Sequence, residues 1–497
     1  MAIPKEILAV KRPKNTFVVA YGKNKDRYGV RQFIGCRYDK GRHIPIKGPT
    51  IGHIVGGKYV PIPDATENSE SGIDLVDWAN VQLCDNVFKD VLDELRQVFT
   101  ESEALKIYGI SILRVTNPGI KDYELKEAYD SSFLATIYPA MALSKNTVCE
   151  LHSTIGKSYS RIVSFMRMRA NKIGADDSVL IDGTLKSNES KVNSLSDFSR
   201  KAKLKGSRDI SIIYAFDLAL YEPICSKCYP GNMLDGTAQD DFLTESGITN
   251  GVLVGDKGFH AVSMEDADTK NPNMHHLIPI RRNSRYYEEY RLTEYDGVLE
   301  CRESIMFKKV HIKKTNKWLY AFRDANRAAL EEKAYMARTK KDGTFNHADF
   351  EKARKTFGTI AFECDFNTTP LDVYRMYEER WEIELVMRYY KTACEFDETR
   401  VHDDYSVIGS EFCDFLSTVL TFRLIKKFDA AELLKKYTYK RIHTFLRRAK
   451  KVRNDGQNWR LVKVNPSVEK VLRDLGLLPQ NATAVKRKPG RPKKQRN

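Results

Sequence analysis

The 497-residue chain lacks an apolar stretch long enough to cross a bilayer. Its longest apolar run, Phe412 to Ile425, is broken by Asp414 and Arg423. It falls short of the about 20 residues that a spanning helix needs. No N-terminal segment has the charged-then-apolar build of a secretory signal. The nine cysteines form an odd set, which speaks for reduced thiols rather than a disulfide framework. The expectation is a cytoplasmic, nucleoid-associated protein. Cys225-x2-Cys228 has no second ligand pair, and a zinc site needs about four ligands. Those two residues read as ordinary thiols, and His275-His276 reads as structural. An acidic excess is also missing. The formal net charge is +16, of which seven Lys/Arg without an acid lie in Lys486 to Asn497. Such a balance points to a polyanionic partner, nucleic acid before membrane.

What is present divides the chain into segments, in number more than one compact unit holds. Residues 1–62 carry short alternating runs, such as Thr16 to Tyr21, and read as a β-rich module with many cations, for which a nucleic-acid contact and a plain sheet surface are both open readings. The polar, breaker-rich Pro61 to Gly72 reads as a linker. Residues 73–175 turn helical, with Lys157, Arg161, Arg167 and Arg169 on the last run, and read either as a helix-turn-helix that contacts DNA ends or as helical hairpins that merely pack. Residues 431–480 are basic and helical. The tail, 481–497, contains Gly490-Arg491-Pro492 among cations and resembles an AT-hook, an extended segment whose Arg491 enters the A·T minor groove.

Three stretches carry the chemistry. SVLIDGT and GVLVGDKGF are short β-branched apolar runs that each end in an Asp, at Asp182 and Asp256, as a buried strand delivering a carboxylate would. The third, Tyr377 to Lys391, has no Gly or Pro and reads as a helix. Tyr377, Arg380, Glu384 and Lys391 share roughly a 60° arc of it. Met376, Ile383, Met387 and Tyr390 form the stripe expected to face a core.

Together these stretches resemble the DDE transposases of insertion sequences, in the IS-four-like branch. That branch carries Tyr-x2-Arg-x3-Glu-x6-Lys, matched here from Tyr377 to Lys391. Its Asp-Gly-Thr is matched by Asp182-Gly183-Thr184. Its Asp-Arg-Gly-Phe/Tyr becomes Asp256-Lys257-Gly258-Phe259, with Lys for Arg. A Pro-Gly-Asn-x2-Asp element is matched by Pro230-Gly231-Asn232 and Asp235. The resemblance covers roughly residues 140–430.

The resemblance implies an α/β, RNase H-like catalytic core at 176–260 and 359–430, interrupted by a β-rich insertion at 261–358 that clamps DNA. It implies a metal-dependent transposase that cuts element ends and transfers the 3′-OH to target DNA. Two Mg²⁺ or Mn²⁺ ions would be held by Asp182, Asp256 and Glu384, with Asp182 bridging. Hard oxygen donors suit such ions. Tyr377, Arg380 and Lys391 would grip phosphates. Arg281, Arg282 and Arg285, with Tyr286 and Tyr287, fit backbone contacts in the insertion, and Trp318 is a base-stacking candidate weighed against a core tryptophan. The implied partners are double-stranded DNA and a second copy of the chain on paired ends. A nuclease without strand transfer and a non-catalytic DNA-binding regulator are the alternatives.

Overall fold

The computed structural model describes residues 3–21, 27–39, 42–61, 73–188, 190–199, 206–233, 235–255, 273–300, 302–393, 398–399, 401–454 and 457–479. Asp256 and Arg491 lie outside them. The chain forms two compact units. The smaller holds Met1–Asp74 and Val452–Trp459, and the larger holds Leu75–Lys451 and Arg460–Asn497.

The smaller unit is built on a four-stranded antiparallel meander of Thr16–Tyr21, Arg27–Asp39, Arg42–Val55 and Lys58–Pro61. Its turn at Gly56-Gly57 is left-handed, with φ of 56° and 74°, a conformation that glycine adopts without a Cβ penalty.

The larger unit contains one ten-stranded sheet. Across it run Glu222–Pro230, Arg208–Asp217, Ser178–Ser187, Gly251–Val254 and Met274–Ile280. Arg208–Asp217 runs antiparallel to both of its neighbours, and the last three are parallel. Thr359–Cys364, Lys317–Asp324 and Arg302–Ile312 continue the sheet as antiparallel neighbours. The strands of the stretch expected to be a separate insertion are therefore hydrogen-bonded into the same sheet as the Asp182 strand. Among the described residues that stretch also contributes the helices Tyr286–Glu289, Ala325–Asp342 and His347–Arg354. The reason is visible in burial. Leu319, Tyr320, Ala321 and Phe322 are all inaccessible, so the Lys317–Asp324 strand is covered on both faces and belongs inside a sheet.

Helices cover the sheet. Asp404–Ala430 is buried nearly all round, as an apolar run with few charges requires. It crosses Lys145–Lys157 at backbone contact. A Cβ on Gly156 would lie 1.9 Å from the Tyr405 carbonyl oxygen, and one on Gly409 would lie 2.0 Å from that of His152. Among the described residues no helix is long and apolar enough to cross a membrane.

Several charged groups inside this core are paired with one another. Lys186, fully buried on the Asp182 strand, donates to Glu411 at 2.6 Å and Asp414 at 2.8 Å on the buried helix. Arg114, from Glu101–Thr116, meets Asp414 at 2.7 Å and Asp122 at 3.1 Å. Burial alone would raise the Asp414 carboxyl, but Lys186 and Arg114 outweigh it and hold it below the usual range. A second cluster joins Arg169 to Glu94 and Glu222, and Arg423 to Glu222 and Asp90.

Several of the cations expected on the DNA-reading helix and in the basic C-terminal region have internal partners as well. Arg161 is bidentate to Glu103, and Arg167 donates to the Glu245 carbonyl. Arg447 caps the Thr116 carbonyl, and Lys451 lies over the rings of Trp78 and Phe133. The region 431–480 is also less helical than expected. Tyr439–Arg447 and Pro466–Asp474 are separated by short strands at Lys450–Asn454 and Arg460–Leu461.

Two measurements check this core. Lys186→Met leaves two buried carboxylates facing one fewer cation, and its denaturant midpoint should correspond to a loss of about 3–5 kcal/mol. An effect below about 1 kcal/mol would show that water reaches the cluster. Burial also holds His152 down to about 4 and His443 down to about 3. A histidine whose folded pKa is depressed binds its proton first in the unfolded state. Stability from these two is whole above about pH 6.5 and falls as pH drops toward 4. The fall in melting temperature between pH 7 and pH 5 should be smaller in His152→Gln/His443→Gln than in the wild type.

Candidate active site

Val179, Leu180 and Ile181 are inaccessible, and Asp182 is the first residue of its strand to reach partial exposure. The next residue, Gly183, is exposed, and a Cβ placed on it would meet no atom within 4 Å. The strand thus leaves the core at Asp182, beside open space. Asp182 pairs with Tyr214 on its antiparallel side.

On the parallel side, Leu180, Val254 and Leu277 form one row. The Gly255 N–H continues this pairing, donating to the Leu277 carbonyl at 3.0 Å. Val254 lies two residues before Asp256 in the chain, as Leu180 lies two before Asp182. The third parallel strand ends at Ile280, so Arg281 and Arg282 emerge at the same sheet edge as Asp182. Carboxyl ends of parallel strands are where α/β sheets present ligands.

The helix Pro370–Ala393 packs against the Gly251–Val254 strand. Its start is set by Pro370 and by Thr369, whose hydroxyl accepts from the Asp372 N–H at 3.1 Å. Glu384 is half-buried and paired with Arg380 at 2.7 Å, one turn earlier. Lys391 is part of the helix, but its side chain lies outside the described residues.

The stripe read in the sequence meets the core at Met376, Ile383 and Met387, the Tyr390 side chain lies outside the described residues, and the buried face is wider than that stripe. Val373, Tyr374, Tyr377, Ile383 and Met387 are buried, and Met376 only partly. The Tyr377 ring packs on Phe362 and Tyr374, so the aromatic counts as core while its hydroxyl alone reaches a polar neighbour.

That neighbour is Arg327, which the sequence reading missed. Asp324 caps Ala325–Asp342 by accepting from the N–H groups of Asn326 and Arg327, and Gly343 ends the helix in the left-handed region at φ 64°. From the first turn, Arg327 Nη1 donates to the Tyr377 hydroxyl at 2.7 Å and Nε to Glu331 at 3.1 Å. Glu331 also takes Arg282 in a bidentate pair at 2.7 and 3.0 Å, and the Gly358 N–H at 2.9 Å. Burial would raise the Glu331 carboxyl, but Arg282, Gly358 and Arg327 lower it to about 2. Arg281, Arg282, Asn283, Arg327 and Glu331 line one open cleft. The only sequence signal for Arg327 and Glu331 is their i, i+4 spacing, which any solvated helix also shows.

The remaining predicted residues separate. Arg281 and Arg285 are exposed at this edge, whereas Arg282 is committed to Glu331 and the Thr359 carbonyl. Tyr287 is buried. Trp318 is half-buried, with the His311 ring stacked at 4.4 Å and Lys309 Nζ 4.6 Å from its centroid. Burial pushes the Cys225 thiol up to about 12 and raises Cys228 too, which disfavours thiolate ligands. Among the described residues no three His, Cys, Asp or Glu side chains form a metal-sized cluster.

Residues 174–406 match the family model described as the transposase DDE domain. No curated protein matches the sequence. A cryo-EM structure of a piggyBac transposase synaptic complex with hairpin DNA aligns with a TM-score of 0.39 and 10% identity. The alignment covers 74% of this chain and 80% of that one.

The Arg327–Tyr377 link has a direct check. Arg327→Ala and Tyr377→Phe, alone and combined, should show a coupling of about 1 kcal/mol in denaturant unfolding. Additivity within about 0.3 kcal/mol would remove the hydrogen bond from the account.

Proposed function

We propose that the chain is a DDE transposase that nicks DNA at the ends of its element and joins the resulting 3′-OH to target DNA. The observation that carries this reading is the match to the transposase DDE domain, whose span includes Asp182, Asp256 and Glu384. The placement of Asp182 at the open end of the parallel strands supports it, and so does the packing of the Glu384 helix on the neighbouring strand. The mixed sheet, with Ser178–Ser187 between an antiparallel and a parallel neighbour, supports the RNase H-like core.

Asp182, Asp256 and Glu384 are the residues that would hold divalent cations. Asp182 and Glu384 are half-buried carboxylates, the hard oxygen donors that Mg²⁺ or Mn²⁺ prefers. When bound, such ions lower the charge barrier to attack on a phosphodiester.

The chain's own residues do the rest. Arg380 holds the Glu384 carboxylate and, with Lys391, offers N–H donors to phosphate oxygens. Tyr377 has its hydroxyl oxygen engaged by Arg327, so its role toward a phosphate is that of a donor. Arg281 and Arg285 track the backbone at the same edge. Each step is an in-line displacement at phosphorus. Water is the first nucleophile and the freed 3′-OH the second, without a covalent bond to the protein. A copy of the chain on each of two ends completes the proposed assembly.

The test is cleavage and joining of a DNA fragment bearing the element's ends, with Mg²⁺. Asp182→Asn, Asp256→Asn and Glu384→Gln should each abolish nicking and joining, by a factor of at least about 10³ for loss of a reacting-centre electrostatic group, while retaining end binding. Nicking without joining would identify a nuclease. Tight binding by the wild type without cleavage would identify a regulator.

A further inference from the structure

The cationic excess is unevenly distributed along the chain. Residues 1–62 hold 13 Lys/Arg against 3 Asp/Glu, a net of +10, and residues 486–497 add +7. The total is +16, so residues 63–485, which include the whole stretch matched to the DDE domain, carry a net of −1. The structure gives this count a physical meaning. Arginines of the larger unit such as Arg114, Arg161, Arg169 and Arg423 are held by carboxylates.

The four-stranded sheet is different. Its register places Tyr21 opposite Arg27, and Val55 opposite Lys58, while Gly29 lies opposite His53. Side chains alternate along a strand, so Tyr21, Arg27, Arg31, His53 and Lys58 project from one face. The Tyr21 hydroxyl and His53 Nδ1 are 3.0 Å apart, which confirms the shared face. Val30 and Ile54 project from the other and are buried. On the first face Arg27 and Lys58 are exposed and Tyr21 is 42% accessible. Arg31 donates to the Gly48 carbonyl, and none of the three cations has a carboxylate partner among the described residues. The result is an open surface on which the exposed Arg27 and Lys58 stand beside the Tyr21 ring and the exposed Val55 and Val60.

We propose that this face is a sequence-independent docking surface for duplex DNA. The choice of DNA over other polyanions rests on the transposase reading. The mode follows from size. Four strands spaced about 4.8 Å apart span about 14 Å before side chains are added. The major groove is about 12 Å wide and admits a helix or a two-stranded ribbon. A four-stranded face therefore lies across phosphates instead of entering the groove, and phosphate contacts carry no base information. Such a face holds any duplex, as target DNA requires, and leaves recognition of ends to other parts of the chain.

The experiment measures affinity of the full chain for two duplexes of about 30 base pairs and unrelated sequence, in EDTA, across a salt series. Without divalent cations no cleavage occurs, so a failed cleavage assay would sink the transposase reading without touching this result. Arg27→Gln/Lys58→Gln should lower the slope of log K against log salt by about 1.8, about 0.9 for each phosphate no longer neutralised, and equally for both duplexes. Arg27→Lys/Lys58→Arg should keep the wild-type slope. Lys340→Gln/Lys341→Gln, which removes the same charge from an exposed helix of the larger unit, should leave the slope unchanged. An unchanged slope in the first variant, an equal drop in the Lys340/Lys341 variant, or an effect on only one duplex would overturn the proposal. Tighter wild-type binding to an RNA duplex would overturn the choice of DNA. Thermal unfolding of each variant, expected within about 0.5 kcal/mol of wild type for exposed positions, separates misfolding from weakened phosphate binding.

Discussion

The larger unit depends on one buried ammonium group. Lys186 is inaccessible, and its charge is tolerable only because Glu411 and Asp414 face it at hydrogen-bond distance. An unpaired ion at that depth would cost several kcal/mol. The requirement reaches beyond stability. Lys186 and Asp182 are four residues apart on one strand and so share a face. A one-residue slip in pairing would turn the lysine out of its carboxylate pair and carry Asp182 to the opposite side of the sheet. The ion cluster therefore fixes which way the Asp182 carboxylate points. Through Arg114 and Asp414, the same cluster ties the sheet to Glu101–Thr116 and to the buried helix.

Much of this was readable in the amino-acid order, for definite reasons. The runs before Asp182 and Asp256 are β-branched and apolar, and the described part of each is a central, doubly covered strand. The helix around Glu384 lacks any breaker, and it forms without interruption from Pro370 to Ala393. Its facing was less legible. Tyr377 carries both a ring and a hydroxyl, and periodicity alone cannot tell which of them decides its environment. Packing against Phe362 and Tyr374 decided for the ring. The strands at 302–312 and 317–324 were also recognisable as strands. Their membership in the main sheet was not, because it depends on pairing with Thr359–Cys364, across sequence distance that no local pattern spans. Arg327 and Glu331 stayed hidden for the same reason, since their partners Tyr377 and Arg282 lie about fifty residues away on either side.

Basic residues on helices were the least informative part of the sequence. Arg161, Arg169 and Arg447 lie in runs read as a polyanion-binding face, yet each is used internally, by a carboxylate or a carbonyl. A guanidinium's several donors serve a helix end or a buried glutamate as well as they serve a phosphate. Arg27 and Lys58 of the four-stranded sheet have no such outlet among the described residues.

The crossing of Lys145–Lys157 with Asp404–Ala430 bears on how the sequence can drift. At Gly156 and at Gly409 an added methyl would strike the other helix's main chain, not a side chain. A change at one site therefore has no compensating change at the other, since shrinking a neighbouring side chain does not move a carbonyl. Residues that meet through side chains leave a trace as correlated substitutions in related sequences. These two glycines would leave none. They would appear as two separately invariant columns, and a contact map inferred from co-variation would miss one of the closest approaches in the molecule.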